Sequence, residues 1–342
     1  MSSCELVVLV FAKLALTQHQ WTDIIQRLQT DSLGTQFFGS KTQVQAGSAT
    51  FLDPDRVLEL RLTGDRKSVD LYECAEFSRC DAAFHDLQAQ YQVEAILQPG
   101  RLYAAHKQPG LAVFDMDSTL IQQEVIDELA RAVGLYDKVA AITEAAMRGE
   151  APYTDFSQSL KARVALLKGV RTSVWDQLKN GTITFTPGAK DLAKVLKQLG
   201  WKTAVLSGGF TPLANWVKDT LGLDYAHANH LVADNDLSVL TGELVPGTAI
   251  VDGMKKQELL RQIAEDNNIP PERIIAVGDG SNDLPMMSAA GLGLAFNAKP
   301  KVQAQAPTRL NSSSLLDVMH VLGYDKEEVE ALLSNSNRPW EL

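Results

Sequence analysis

Two periods of apolar residues divide this chain into an early and a late part. Residues 6–12 are apolar over the length of one strand. Residues 17–30 place Trp21, Ile24, Ile25 and Leu28 at helical spacing, which predicts a helix. Strand-like runs follow at 35–44 and 57–62, the second alternating as Val57, Glu59, Arg61. Residues 80–91 predict a second helix and 93–97 a closing strand. The order strand, helix, strand, strand, helix, strand is that of a ferredoxin-like α+β unit. No polar cluster interrupts it, so no chemistry is assigned there, and His19 and His85 read as surface or core residues. Gln98-Pro99-Gly100 and Gln108-Pro109-Gly110 are turn signals. They divide the chain into a domain at 1–105 and another at 106–342.

The late part opens on a short apolar run, Leu111 to Phe114, which predicts a buried parallel strand ending on Asp115, with Asp117, Ser118 and Thr119 directly after. Helical patterns at 124–134, 138–147 and 155–167 then predict a cap inserted at about 122–182. From Pro187 strands and helices alternate. A helix is expected at 188–199 and a strand at 202–206 that runs into Ser207-Gly208-Gly209-Phe210. Next come a helix at 212–221, short strand-like pieces in 224–245 with Asn235 and Gly242 as turn residues, and a helix at 255–267. A strand at 274–277 runs into Gly278-Asp279-Gly280-Ser281-Asn282-Asp283, followed by a short helix at 284–290 and a last strand at 292–296. The tail is expected to be helical at 315–333 and frayed at 334–342. This alternation predicts an α/β fold with a doubly wound parallel sheet, beside the α+β unit.

Composition adds boundaries. A length of 342 residues with 45% hydrophobic and 22% charged residues suits two soluble domains. A net charge of −10 without any Lys/Arg-rich run argues against a nucleic-acid surface. The cysteines, Cys4, Cys74 and Cys80, have no metal-type spacing and fit a reducing compartment. Residues 5–16 are broken by Glu5 and Lys13 and are too short to span a bilayer. They read as a core strand of a cytoplasmic protein.

Three expected strand ends carry polar clusters, and in a parallel sheet all three can meet at the carboxyl edge where ligands bind. Asp115 and Asp117 suit a nucleophile and a general acid at one metal ion. Asp115 and Asp279 offer hard oxygen ligands of the kind Mg²⁺ takes. Ser207 and the N–H groups after it make a phosphate cradle at the opening of a helix, and Lys256 can bring an ammonium to the same phosphate. Singly, each motif is more often a turn, a loop or a solvated lysine. Together and in this order they are not explained that way.

DMDST, SGG, the helix-starting lysine and GDGSND resemble the four motifs of the haloacid dehalogenase superfamily of phosphotransferases. Glu124 nine residues after Asp115, EAAMRGE, DFSQSLKARVALLKG, SGGF and VGDGSNDLPMM resemble its phosphoserine phosphatase branch, over about 109–301. The resemblance implies Mg²⁺-dependent hydrolysis of O-phospho-L-serine through an aspartyl-phosphate, the final step of serine biosynthesis. Asp115 would attack phosphorus, and Asp117 would protonate the leaving oxygen and then activate water. Mg²⁺ would be held by Asp115, Asp279 and the Asp117 carbonyl, with Asp283 supporting that shell. Ser207, Gly208 and Lys256 would hold the phosphoryl oxygens, with Asn282 nearby. In the cap, Glu124 would meet the substrate ammonium and Arg163 its carboxylate, while Met147 and Phe156 wall off water. Bacterial members often carry an N-terminal domain similar to the ACT fold, which the first 105 residues would match. Two alternatives stay open: another small phosphomonoester such as phosphohomoserine, or a different acceptor; and a regulatory amino-acid-binding protein with a dead phosphatase domain. The intact Asp115, Asp117, Lys256 and Asp279 speak against the last. A homodimer is compatible with this reading; nucleic acid and membrane are not expected partners.

Overall fold

The computed structural model describes residues 4–30, 33, 37–38, 45–64, 68–234 and 236–334, excluding the side chains of 45–47 and 147. The expected strand at 35–44 falls mostly outside these residues, as do Asn235 and 335–342. The first four strands are β1 (Cys4–Ala12), β2 (Gln45–Asp53), β3 (Val57–Gly64) and β4 (Val93–Pro99). They form an antiparallel sheet in the order β2-β3-β1-β4, the ferredoxin-like arrangement. Two helices occupy the stretch where one was expected. Leu71–Cys80 buries Cys74 and Ala75, and Asp70 and Glu73 close a capping box at its start. Asp81 then caps Ala82–Tyr91 by accepting from the Phe84 N–H at 2.7 Å, which breaks the expected 80–91 helix at its first residue.

β1 is apolar at successive positions because both of its faces are covered. Leu6, Val8 and Val10 join Trp21, Ile24, Leu28 and Phe84 under the unit's own helices. Val7, Leu9 and Phe11 point the other way and join the core of the late part, together with Val318 and Leu322. Several polar groups around this seam are paired. Arg56 forks onto Asp317 at 2.7 and 2.8 Å, Gln98 Nε2 donates to the Val321 carbonyl at 2.8 Å, and Glu94 accepts from the Asn311 N–H at 2.7 Å.

The late part holds β5 (Leu111–Phe114), β6 (Lys202–Phe210), β7 (Tyr225–Asn229), β8 (Leu231–Asp234), β9 (Val239–Leu244), β10 (Ile274–Gly278), β11 (Leu292–Phe296) and β12 (Thr308–Leu310). Six of them make a parallel sheet ordered β12-β11-β10-β5-β6-β7. The chain winds from β5 towards β7 on one side and from β10 towards β12 on the other, so the topological switch lies between β5 and β10. β12 extends the sheet past the expected last strand; three residues are too few to show a period. β6 runs through Ser207-Gly208-Gly209 to Phe210 rather than stopping at Leu206. The tail is helical only in pieces, Val318–Val321 and Lys326–Ser334, because Gly323 turns left-handed at φ +86° between them.

The helices Val125–Ala132, Tyr136–Met147 and Phe156–Ala165 form the body of the insertion after β5. The β8–β9 hairpin joins them. Gly169 N–H donates to Leu240, Leu240 N–H to Val170 and Thr172 N–H to Ser238, at 2.8 to 2.9 Å. No helix among the described residues is long and apolar enough to cross a membrane.

Candidate active site

Asp115 leaves β5 with its N–H on the Val277 carbonyl of β10, at 2.9 Å, which pins it beside the switch point. The chain then turns within Met116–Leu120, where Ser118 takes φ +55°, a conformation that costs a non-glycine residue energy and is held by its surroundings. Adjacent strands β10, β5 and β6 thus present Asp279, Asp115 and Ser207 at one edge, as the sequence predicts.

Lys256 comes from the helix Gly253–Asp266 and is fully buried. Its Nζ lies 2.5 Å from Asp115 Oδ1 and 2.7 Å from Asp283 Oδ1. Burial by itself opposes the ammonium, but Asp115 and Asp283 outweigh it and hold the lysine charged. The opposite pressure falls on the acids. Burial, then the Asp283 charge, pushes Asp115 well above the usual carboxylate range. Burial, with Asp283 and Glu124, pushes Asp279 up to about 7. One lysine does not neutralise Asp115, Asp117, Asp279 and Asp283 together. Carboxylate oxygens of Asp115, Asp279 and Asp283 lie within 4.8 Å of one another, so the cluster fits a divalent cation in both charge and donor type. This grouping differs from the expected ligands, with Asp283 in place of Asp117. Yet Asp283 has both oxygens engaged, one by Lys256 and the other by the Gly280 N–H at 2.9 Å, which suits a support. Gly278 lets it approach: a Cβ there would sit 2.5 Å from the Asp283 carboxyl carbon.

Asp117 is oriented from the cap. The Val125 N–H, at the start of a cap helix, donates to Asp117 Oδ2 at 3.0 Å. Its Oδ1 is buried with no hydrogen-bond partner among the described residues. Burial foremost, then the Glu124 charge, raises its pKa well above the ordinary value, so it can carry a proton.

Ser207 is buried, and its Oγ accepts from the Gly209 N–H at 2.8 Å. That N–H is therefore spent within the loop, and the next helix, Thr211–Leu221, begins four residues after Ser207. The cradle is a bulge in β6 rather than a helix start. Asn282 is half-buried in the turn Ser281–Asp283, with its carbonyl against Gly253.

Above the edge, Phe156 packs on Gly208; a Cβ on that glycine would meet its ring at 3.1 Å. Glu124 is exposed and accepts from Ser118 Oγ at 2.8 Å. Arg163 donates to the Ser159 carbonyl at 3.3 Å and forms no ion pair among the described residues. Burial lowers its pKa, while the charges of Asp127, Glu124 and Asp117 work the other way. Met147 closes the helix Tyr136–Met147; its side chain lies outside the described part.

Two contacts lie beyond the sequence reading. Thr119, fully buried, donates to Asp279 Oδ1 at 3.2 Å. It stands within the DMDST stretch, and that proximity to Asp115 is its only signal. Asn229 bonds to the Gly208 carbonyl, and nothing in its neighbourhood along the chain marks it.

A doubly wound sheet with an acidic cluster at its carboxyl edge and an inserted cap defines a class of phosphoryl-handling hydrolases. The sequence pattern of the haloacid dehalogenase-like hydrolases matches residues 112–288. The chain belongs to this family. It is 51% identical over 227 residues to a probable phosphoserine phosphatase of Schizosaccharomyces pombe, covering 66% of this chain and 74% of that one. A solved haloacid dehalogenase family hydrolase from Salmonella enterica serovar Typhi superposes with a TM-score of 0.71 at 29% identity, covering 94% of this chain and 99% of that one. A phosphoserine phosphatase solved as a phospho-aspartyl intermediate analogue superposes with a TM-score of 0.57 at 40% identity, covering 63% and 99% respectively.

Proposed function

We propose that this protein is a phosphoserine phosphatase that hydrolyses O-phospho-L-serine to L-serine and phosphate with Mg²⁺. The observation that carries the substrate is Arg163: a largely buried guanidinium without an ion-pair partner among the described residues, in the cap that faces the acidic cluster. A site for phosphoserine needs such a group for the carboxylate, and a planar fork suits it. Glu124 supplies the anion for the ammonium.

In this reading Asp115, held by Lys256, attacks phosphorus and becomes an aspartyl-phosphate. Asp117, protonated and fixed by the Val125 N–H, gives its proton to the serine oxygen and then takes one from water. Ser207 and the Gly208 backbone hold the phosphoryl oxygens. Phe156 and Met147 shield the substrate from solvent. Bound through Asp115, Asp279 and the Asp117 carbonyl, Mg²⁺ would neutralise the charge that builds on the phosphoryl group. Asp283 would fix Lys256 and the Gly280 turn.

The chain is read as an ACT-like unit at 1–105 and a phosphatase unit at 106–342, in a cytoplasmic setting consistent with its three cysteines. Phosphate release from L-phosphoserine, D-phosphoserine, phosphohomoserine and an aryl phosphate, with Mg²⁺ and with chelator, tests the reading. Preference for L-phosphoserine that disappears with the metal is expected. Equal rates on all four would overturn the substrate assignment.

A further inference from the structure

Asn229, the last residue of β7, is 3% exposed and uses both ends of its amide. Its Nδ2 donates to the Gly208 carbonyl at 2.9 Å, and its Oδ1 accepts from the Val251 N–H at 2.9 Å. Gly208 belongs to the phosphate cradle. Val251 is buried and precedes Asp252, which caps the Lys256 helix by accepting from the Lys255 N–H at 2.8 Å. One side chain therefore ties the cradle to the segment that launches the lysine.

The tie sits where the sheet's own bonding is interrupted. Along β6 and β7, Leu206 pairs with His227 and Phe210 with Asn229, so Ser207, Gly208 and Gly209 bulge out opposite Ala228 alone. The Gly208 carbonyl thus has no ladder partner, and Asn229 supplies one. Beyond Asn229 the chain runs through the β8–β9 hairpin, which is bonded to cap residues 169–172, before it returns to Val251. Both ends of that excursion meet at this amide.

We infer that Asn229 is a positioning residue. It sets the distance between the Gly208 cradle and the Lys256 helix, and through it the affinity for the phosphoryl group of substrate and product. The inference rests on the phosphate site of the proposed function and does not depend on which alcohol the phosphate leaves.

The test uses the full-length protein with Mg²⁺, Asn229→Leu and Asn229→Asp. Leucine keeps approximate size and loses both bonds; aspartate keeps an acceptor for Val251 and loses the donor to Gly208. The inhibition constant of inorganic phosphate, and KM for both L-phosphoserine and an aryl phosphate, should rise together by about tenfold, as for a lost buried hydrogen bond. Unchanged inhibition constant and KM in either folded variant, with only a lower melting temperature, would show a purely structural residue and overturn the inference. Amide exchange in the wild-type protein gives a readout that needs no variant. Saturating phosphate should slow exchange in the peptides containing Gly209 and Val251 together; protection of one alone counts against the tie. If wild type ignores L-phosphoserine, the substrate reading falls, while phosphate inhibition of aryl phosphate hydrolysis still decides the role of Asn229.

Discussion

Lys256 Nζ sits 2.5 Å from Asp115 Oδ1, and the ammonium is closed off from solvent. The cation that prepares the candidate nucleophile is fixed before any substrate arrives. Lys256→Met should lower kcat by about 10²–10³, the loss typical of one preorganised charge at a reacting oxygen. It also leaves Asp115 and Asp283 without their buried partner, which should cost about 3–5 kcal/mol in metal-free urea unfolding. Near-normal turnover would remove Lys256 from the phosphate site.

Asp117 accepts one cap N–H and leaves its other oxygen without a partner among the described residues. Asp117→Asn preserves that bond and removes the transferable proton. Turnover should fall by about 10²–10⁴ with little change in KM, as for loss of general acid–base catalysis. Rapid-quench detection of protein-bound phosphate checks this, because a phospho-enzyme should accumulate when the base for its hydrolysis is missing. A change in KM alone would assign the proton to another group.

Arg163 has no carboxylate partner among the described residues, so its removal should be felt by the substrate rather than by the fold. Arg163→Ala should weaken L-phosphoserine by roughly 2–5 kcal/mol, read in kcat/KM, and leave an aryl phosphate nearly unchanged. Arg163→Lys should recover little, since a point charge does not replace the fork. Equal losses on both substrates would make Arg163 a brace of the cap.

His106 follows the helix Gly100–Ala105, is fully buried, and has no hydrogen-bond partner at either ring nitrogen among the described residues. Burial lowers its pKa from 6.5 to about 4. The unfolded chain therefore binds a proton that the folded chain refuses between these values. Its contribution is complete above pH 6.5 and is lost as pH falls towards 4, by roughly 3 kcal/mol. Denaturant unfolding at several pH values should show a shallower acid slope for His106→Phe. An identical slope would place the acid sensitivity elsewhere.

Arg56 reaches from the N-terminal sheet to Asp317, whose side chain is 7% exposed. Arg56→Ala should destabilise the whole chain by about 1–3 kcal/mol, because it leaves a charged acceptor poorly satisfied. Arg56→Ala with Asp317→Asn should cost less than the sum of the two changes. Additive losses would show that the pair does not hold the seam.

The sequence by itself determined the order of most elements and the membership of the acidic edge. Apolar runs need no tertiary information to be read as buried strands, and Asp115, Ser207 and Asp279 stand at or just beyond the ends of three of them. It also carried the ferredoxin-like order of the early part, since a period of 2 or of 3.6 is a local property, although the second strand lies at Gln45–Asp53 and not at the expected 35–44. It did not reveal the helix Leu71–Cys80, which buries little beyond Cys74 and Ala75, or β12, which is too short to have a period. Only the tertiary structure decided which groups share a charge balance. Lys256 and Asp115 are 141 positions apart, and their pairing depends on how the helix Gly253–Asp266 is seated against the sheet. The same holds for Asn229 on Gly208 and Val251, and for the odd-numbered face of β1 on the late part's core. Hydrogen bonds and ion pairs reach about 3 Å, so they depend on where the backbone finally lies, whereas hydrophobic pattern is written into neighbouring residues before the chain folds.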